Sequence, residues 1–181
     1  MRLQSNGLTK PVTIGILVFS ALAVMPKSLR ADEKPIFGDI SGISCKGAGD
    51  SAFPGFAVSS FSFGDSVAVA ASTGSGGGAG KPMFQDISVV KGLDDCTPLL
   101  FEAVAKGSHL TSATLTVVQK GNKTPVLLIQ LSDVTVTSDK FTEGAARELD
   151  EVITLSYRKI TITHVPSGNK VSIDIATLTV L

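Results

Sequence analysis

The chain has 181 residues, with 16 Lys and Arg against 16 Asp and Glu, so its formal net charge is zero. Acidic and basic residues are interspersed, which leaves no basic face for phosphates and argues against nucleic acid as a partner. There is no Trp, one Tyr and nine Phe, so the bulk comes from Val, Ile, Leu and Thr, a strand-forming composition.

Arg2 and Lys10 precede an uncharged apolar run from Val12 to Met25, and Pro26, Lys27 and Arg30 follow it. The run is shorter than the roughly 20 residues that cross a bilayer and matches the apolar region of a secretory signal. Residues 1–31 are therefore expected to be a signal peptide, removed after Ala31 so that Asp32 becomes the N-terminus. Cleavage after Ala23 is the other small-residue option, and translation from Met25 is the alternative reading. Residues 32–181 suffice for a single domain. Its expected location is secreted or periplasmic, with no membrane partner once the signal is gone.

From Pro35 to Ser44, Ile36, Phe37, Ile40 and Ile43 predict a first strand broken by Gly38 and Gly42, and Cys45 to Pro54 predicts a polar loop. Gly55 to Gly64 alternates as one strand, with Phe56, Val58, Ser60 and Ser62 on one side and Ala57, Ser59, Phe61 and Phe63 on the other; Phe61 and Phe63 face the core, and Ser62 faces away from it. Asp65 to Gly80 is small and Gly-rich and predicts a long loop of the kind that has a function or stays mobile. Gly80-Lys81 ends no phosphate loop, because Ser75 stands where such a loop requires Gly and Pro82 where it requires Ser or Thr. A strand then leads to Asp94-Asp95-Cys96-Thr97-Pro98. There Thr97 reads as the N-cap, Pro98 as the first helical position and Gly107 as the left-handed stop of a helix over about 98–106.

His109 to Gln119 and Pro125 to Leu131 predict a hairpin closed by Lys120-Gly121-Asn122-Lys123, with the register continuing through Val134 and Val136. Ser138 to Arg147 reads as a polar connection. Val152 to Val165 is the longest predicted strand. Its apolar parity changes from Ile153, Leu155 and Tyr157 to Ile160 and Ile162, which predicts a bulge near Arg158 and Lys159. Pro166-Ser167-Gly168-Asn169 closes a further hairpin with Lys170 to Val180. Many short strands and one capped helix predict a mainly β fold: a small antiparallel β-barrel or two-sheet sandwich with the helix on its flank.

His109 and His164 have no metal-ligand neighbours at a suitable spacing and read as surface or strand-end residues. Asp94-Asp95 suits the positive end of the helix, and Asp150-Glu151 opens a strand. No nucleophile elbow, Cys-x-x-Cys pair or HExxH occurs, so catalytic, cofactor and metal residues are all expected to be absent. Cys45 and Cys96 are the only cysteines. Export would put them in an oxidising compartment, where they are either bridged or remain two unpaired thiols.

The combination of a glycine-rich stretch ending in GGGAGK, the strand pattern xxxQDISxxK and DDCTPLLFEAVAKGSHL resembles the Hcp family, the ring-forming tube proteins of type VI secretion, from about Ile36 to Asn169. The resemblance implies a homo-hexamer closed by edge-to-edge joining of sheets, rings stacked into a tube, and effector proteins and other secretion-system components as partners. It implies that Ser62 lies on the lumen wall and that the extension carrying Gly74, Gly76, Gly77, Gly78 and Gly80 packs against the next ring. The chain departs from the family in two places. Tube proteins normally lack a signal peptide, and Val171-Ser172-Ile173-Asp174-Ile175 stands where the family carries an aromatic after glycine. The alternative function is an exported stand-alone barrel that binds a partner or ligand at the cell envelope.

Overall fold

The computed structural model describes residues 35–45, 52–69, 79–121, 123–143 and 148–181, all within one compact unit, Asp32–Leu181. The expected signal peptide, residues 1–31, lies outside the described residues, as do Gly74, Gly76, Gly77 and Gly78. The described elements are β1 (Ile36–Ile40), β2 (Phe56–Val58), β3 (Ser60–Ser62), β4 (Asp65–Val69), β5 (Ala79–Phe84), β6 (Ile87–Gly92), α1 (Thr97–Lys106), β7 (His109–Val118), β8 (Pro125–Glu143), β9 (Leu149–His164), β10 (Asn169–Asp174) and β11 (Thr179–Val180). The architecture is mainly β and antiparallel, with one short helix among the described residues.

Hydrogen-bonded neighbours run β11-β10-β9-β8-β7-β1-β2, and β6 pairs with both β9 and β3. Strand β9 forks the sheet on one side. Its first half, Asp150 to Leu155, pairs with β6, and its second half, Lys159 to His164, pairs with β10. The segment Phe56 to Ser62 spans the two margins. Ile36 lies opposite Val58 on β1, whereas Ser60 lies opposite Val90 on β6. The predicted single strand is thus two strands separated by a bend at Ser59, whose N–H donates to Val90 O at 2.8 Å. The bend also resets the parity, so that Phe56 and Val58 are buried before it while Phe61 and Phe63 turn to the core after it. A strict two-residue period cannot keep both pairs inside, and leaving one partner strand for another absorbs the slip.

The parity change in β9 has a different origin from the predicted bulge. Val134 stays opposite Tyr157 and Ser132 stays opposite Lys159, so no register shift occurs there. Both strands change face together instead. Leu131 and Val134 are buried on β8, Tyr157 and Ile160 on β9, and Asp133 takes a left-handed φ of 53° between them. The register shift between β8 and β9 falls between Val136 and Ser138. Strand β8, at 19 residues, is longer than β9 at 16, because residues predicted as a polar connection continue the ladder to Glu143. Glu143 is still paired with Leu149, so cross-strand bonds to a long neighbour outweigh weak local strand propensity. The predicted last strand is also divided, since β11 folds back on Ile173 and Asp174 of β10.

Helix α1 ends as expected. Gly107 has φ 58° and ψ 41°, its N–H donates to Val104 O at 3.0 Å, and the N–H of Ser108 donates to Ala103 O at 2.9 Å. The start differs: Cys96 is the N-cap, no side chain caps the first turn, and Thr97 is already helical. Leu100 and Ala103 are buried against the barrel, and the Leu100 side chain contributes up to about 3 kcal/mol.

Candidate functional site

Strand β6 spans about 17 Å from Ile87 to Gly92 at the usual rise per residue and separates two ends of the barrel. Beyond its Ile87 end, β4 and β5 pair as a separate two-stranded arm with Asp65 opposite Phe84 and Val67 opposite Pro82. Beyond its Gly92 end lies α1. Both ends of the predicted Asp65–Gly80 loop are strand, since Asp65–Val69 belongs to β4 and Ala79 and Gly80 to β5, while residues 70–78 fall outside the described residues. Gly80 belongs to β5, where an added Cβ would stand 2.9 Å from Ala68 O on the facing strand. Close strand approach is therefore the reason for glycine at this position.

The arm is held at its base. Tyr157 donates its hydroxyl to Gln85 O at 3.0 Å, and the N–H of Gln85 donates to Gly64 O at 2.9 Å. Burial raises the Tyr157 pKa, and the charges of Asp86 and Asp65 add to the rise. An apolar cleft of about 160 Å³ runs beside this base, lined by Phe63, Phe84, Ile160 and Ile173 among others. Farther out the arm shows apolar side chains to solvent, with Met83 70% and Val67 46% exposed.

The opposite end is built on a charge inside the core. Lys91 and Glu151 are partners across the β6–β9 ladder and both are fully buried. Lys91 Nζ donates to Glu151 Oε2 at 2.7 Å, Gly92 O at 2.8 Å and Thr97 Oγ1 at 3.3 Å, and forms an ion pair with Asp94 Oδ1 at 2.8 Å. Thr97 in turn donates to Glu151 Oε2 at 2.5 Å and accepts from the N–H of Asp94 at 3.1 Å. The Phe56 ring centroid lies 5.6 Å from Nζ. A lysine so fully engaged is a structural cation, tying the start of α1 to two strands. Asp139 lies near this group, and its carboxyl is pushed up to about 6, first by burial and then by Glu151, against the opposing charge of Lys91. The rings of Phe101 on α1 and Phe141 on β8, centroids 6.5 Å apart, leave an exposed apolar surface at this end.

Glu151 stood out in the sequence only within the acidic pair Asp150-Glu151 at a strand start, and its pairing with Lys91 was not expected. A signal existed: Ile87 and Val89 put Lys91 on the core face of β6, and Ile153 and Leu155 do the same for Glu151 on β9. The remaining expected residues are dispersed. Ser62 is exposed on β3 between two core-facing Phe. Cys45 and Cys96 meet sulfur to sulfur with Cα atoms 5.0 Å apart. His109 and His164 are exposed strand ends, and His164 Nδ1 lies 2.8 Å from Ser167 Oγ. Among the described residues no three His, Cys, Asp or Glu side chains are grouped to hold a metal, and no helix is long and apolar enough to cross a membrane.

A family model described as "Type VI secretion system effector, Hcp" matches residues 39–164. The chain is 36% identical over 90 residues to Protein hcp1 of Pseudomonas aeruginosa, a stretch covering 48% of this chain and 55% of that protein. It thus spans about half the length of that relative. Among solved structures, Hcp1 from Salmonella typhimurium superposes with a TM-score of 0.68 at 20% identity, covering 82% of this chain and 100% of that one. Hcp1 from E. coli EAEC 042 does so with a TM-score of 0.65 at 18% identity, covering 78% and 99%. At these identities the likeness is one of fold, and it agrees with the family match over most of the described residues. The chain belongs to the Hcp family of type VI secretion proteins.

Proposed function

We propose that this chain is an exported tube subunit whose six copies close a ring, with rings stacking head to tail around a lumen that carries effector proteins. The observation that carries the reading is the placement of the arm and of α1 beyond opposite ends of β6. A body with a projecting apolar arm at one end and an exposed apolar surface at the other suits a heterologous contact between like copies, the kind that propagates into an open stack instead of closing a pair. The sheet margins at β2, β3 and β11 are short strands whose free edges a neighbouring subunit would pair. Ser62, exposed and small, suits a lumen wall, and the stretch bearing Gly74, Gly76, Gly77 and Gly78, which joins β4 to β5 in the chain, is the part proposed to meet the next ring.

Light scattering on the protein from Asp32 onward, repeated with residues 74–80 deleted, tests the proposal. A six-subunit mass that grows by whole rings is expected, with growth reduced by the deletion. A single-subunit mass at micromolar concentration would favour the stand-alone envelope barrel. One feature supports that second reading: β11 folds back on the outer edge of β10 and occupies part of a margin that a neighbour would otherwise use.

A further inference from the structure

The cysteine pair departs from the expectation for a protein loaded from the cytoplasm, where thiols are kept reduced. The Cα separation of 5.0 Å lies inside the range a disulfide spans. Cys96 is fully buried and Cys45 half-buried. Cys96 is also the N-cap of a helix that no side chain caps. Its N–H donates to Asp94 Oδ1 at 2.8 Å, the same oxygen that receives Lys91 Nζ, and its carbonyl accepts from the N–H groups of Leu99 and Leu100, each at 2.9 Å. A reagent could reach the Cys96 sulfur only by undoing this turn and the ion cluster beneath it, because thiol–disulfide exchange needs direct access to a sulfur atom.

We infer that Cys45 and Cys96 are a modification site for dithiol oxidation outside the cytoplasm, used while the chain is still open and sealed when α1 closes over Cys96. The partner implied is a thiol–disulfide exchange protein or small disulfide acting on an unfolded chain. The thiolate of Cys45, which emerges first during N-to-C export, attacks the acceptor disulfide and expels one acceptor thiolate, leaving a mixed disulfide. When Cys96 arrives, 51 residues later, its thiolate attacks the Cys45 sulfur and expels the second acceptor thiolate. The chain gives up two electrons and two protons and gains one S–S bond, while the acceptor disulfide becomes a dithiol. The bridge then tethers the first turn of α1 to Cys45 covalently, without satisfying its free amides. The inference rests on the export reading and not on ring formation.

The full chain is produced with its own N-terminus, quenched in acid, denatured and labelled with a maleimide, alongside the same protein begun at Asp32 and held in the cytoplasm. Mass spectrometry is expected to show no label on envelope protein and two labels on the cytoplasmic form. Envelope protein carrying two labels would overturn the inference, whereas finding no protein in the envelope would count against the export reading on which it rests. Bridged envelope protein is then exposed to reduced glutathione. Any glutathione adduct formed without denaturant should sit on half-buried Cys45, and an adduct on Cys96 formed without denaturant would overturn the sealing of Cys96. Because labelling is done on denatured chains, neither readout requires the reduced form to fold.

Discussion

Lys91 and Glu151 stand opposite one another in the β6–β9 ladder with both side chains withdrawn from water and Nζ 2.7 Å from Oε2. Removing one partner would strand a charge in the core. Lys91→Met is expected to destabilise by about 3–5 kcal/mol, and Lys91→Met combined with Glu151→Leu by distinctly less, since the desolvation penalty goes with the second charge. Urea melts of the two variants decide it; equal losses would mean that the pair is not a coupled unit.

Asp139 makes stability depend on pH. Its carboxyl rises from an ordinary 3.8 to about 6 in the folded chain, so the folded state holds a proton that the unfolded state releases. Its contribution is fully present below 3.8 and is lost as pH rises through about 6. Unfolding free energy is therefore expected to fall at this site across that window, and Asp139→Asn should flatten the fall. Parallel curves for the two proteins would show that Asp139 is not the group responsible.

Gly107 stops α1 in a conformation that an L side chain adopts at a cost. An added Cβ would meet nothing within 4 Å there, so the cost is purely conformational. Gly107→Val should destabilise by at least about 1 kcal/mol and Ser108→Ala by roughly half that or less. A thermal melt in which the two variants match would refute this account of the helix stop.

Phe101 and Phe141 can be separated from folding because both are largely exposed. If the chain forms the proposed rings, Phe101→Ser is expected to leave their mass unchanged while shortening stacks seen by electron microscopy, as replacement of Met83 by Ser should from the other side. If Phe101→Ser dissociates rings into subunits, the surface belongs to the contact within a ring and not between rings.

Processing after Ala31 would be read by N-terminal sequencing of protein recovered from the envelope. Asp32 as the first residue is the expected result, and a cytoplasmic product beginning at Met25 would rule out the signal peptide.

The local punctuation of the chain was legible from its residues. Gly107 as a left-handed stop, Pro98 beside the helix start, and the turns at Lys120-Gly121 and Pro166–Asn169 each follow from what one or two residues can do with their own backbone. The strand-rich class and the family motifs were equally visible. The start of α1 was misread because Thr97, a good N-cap by type, is drawn instead into the Lys91–Glu151 cluster.

What a stretch pairs with could not be read in the same way. Phe56 to Ser62 looks like one strand until β1 and β6 claim its two halves, and Asp65 to Gly80 looks like a loop until β4 finds β5. Alternation placed Lys91 on an inward face, but only the arrival of Glu151, 60 residues away in sequence, makes a buried ammonium tolerable. Backbone conformation depends on neighbours in the chain, and the residues themselves determined it; a buried charge, a cysteine partner and a strand edge depend on neighbours in space, which only the tertiary structure decided.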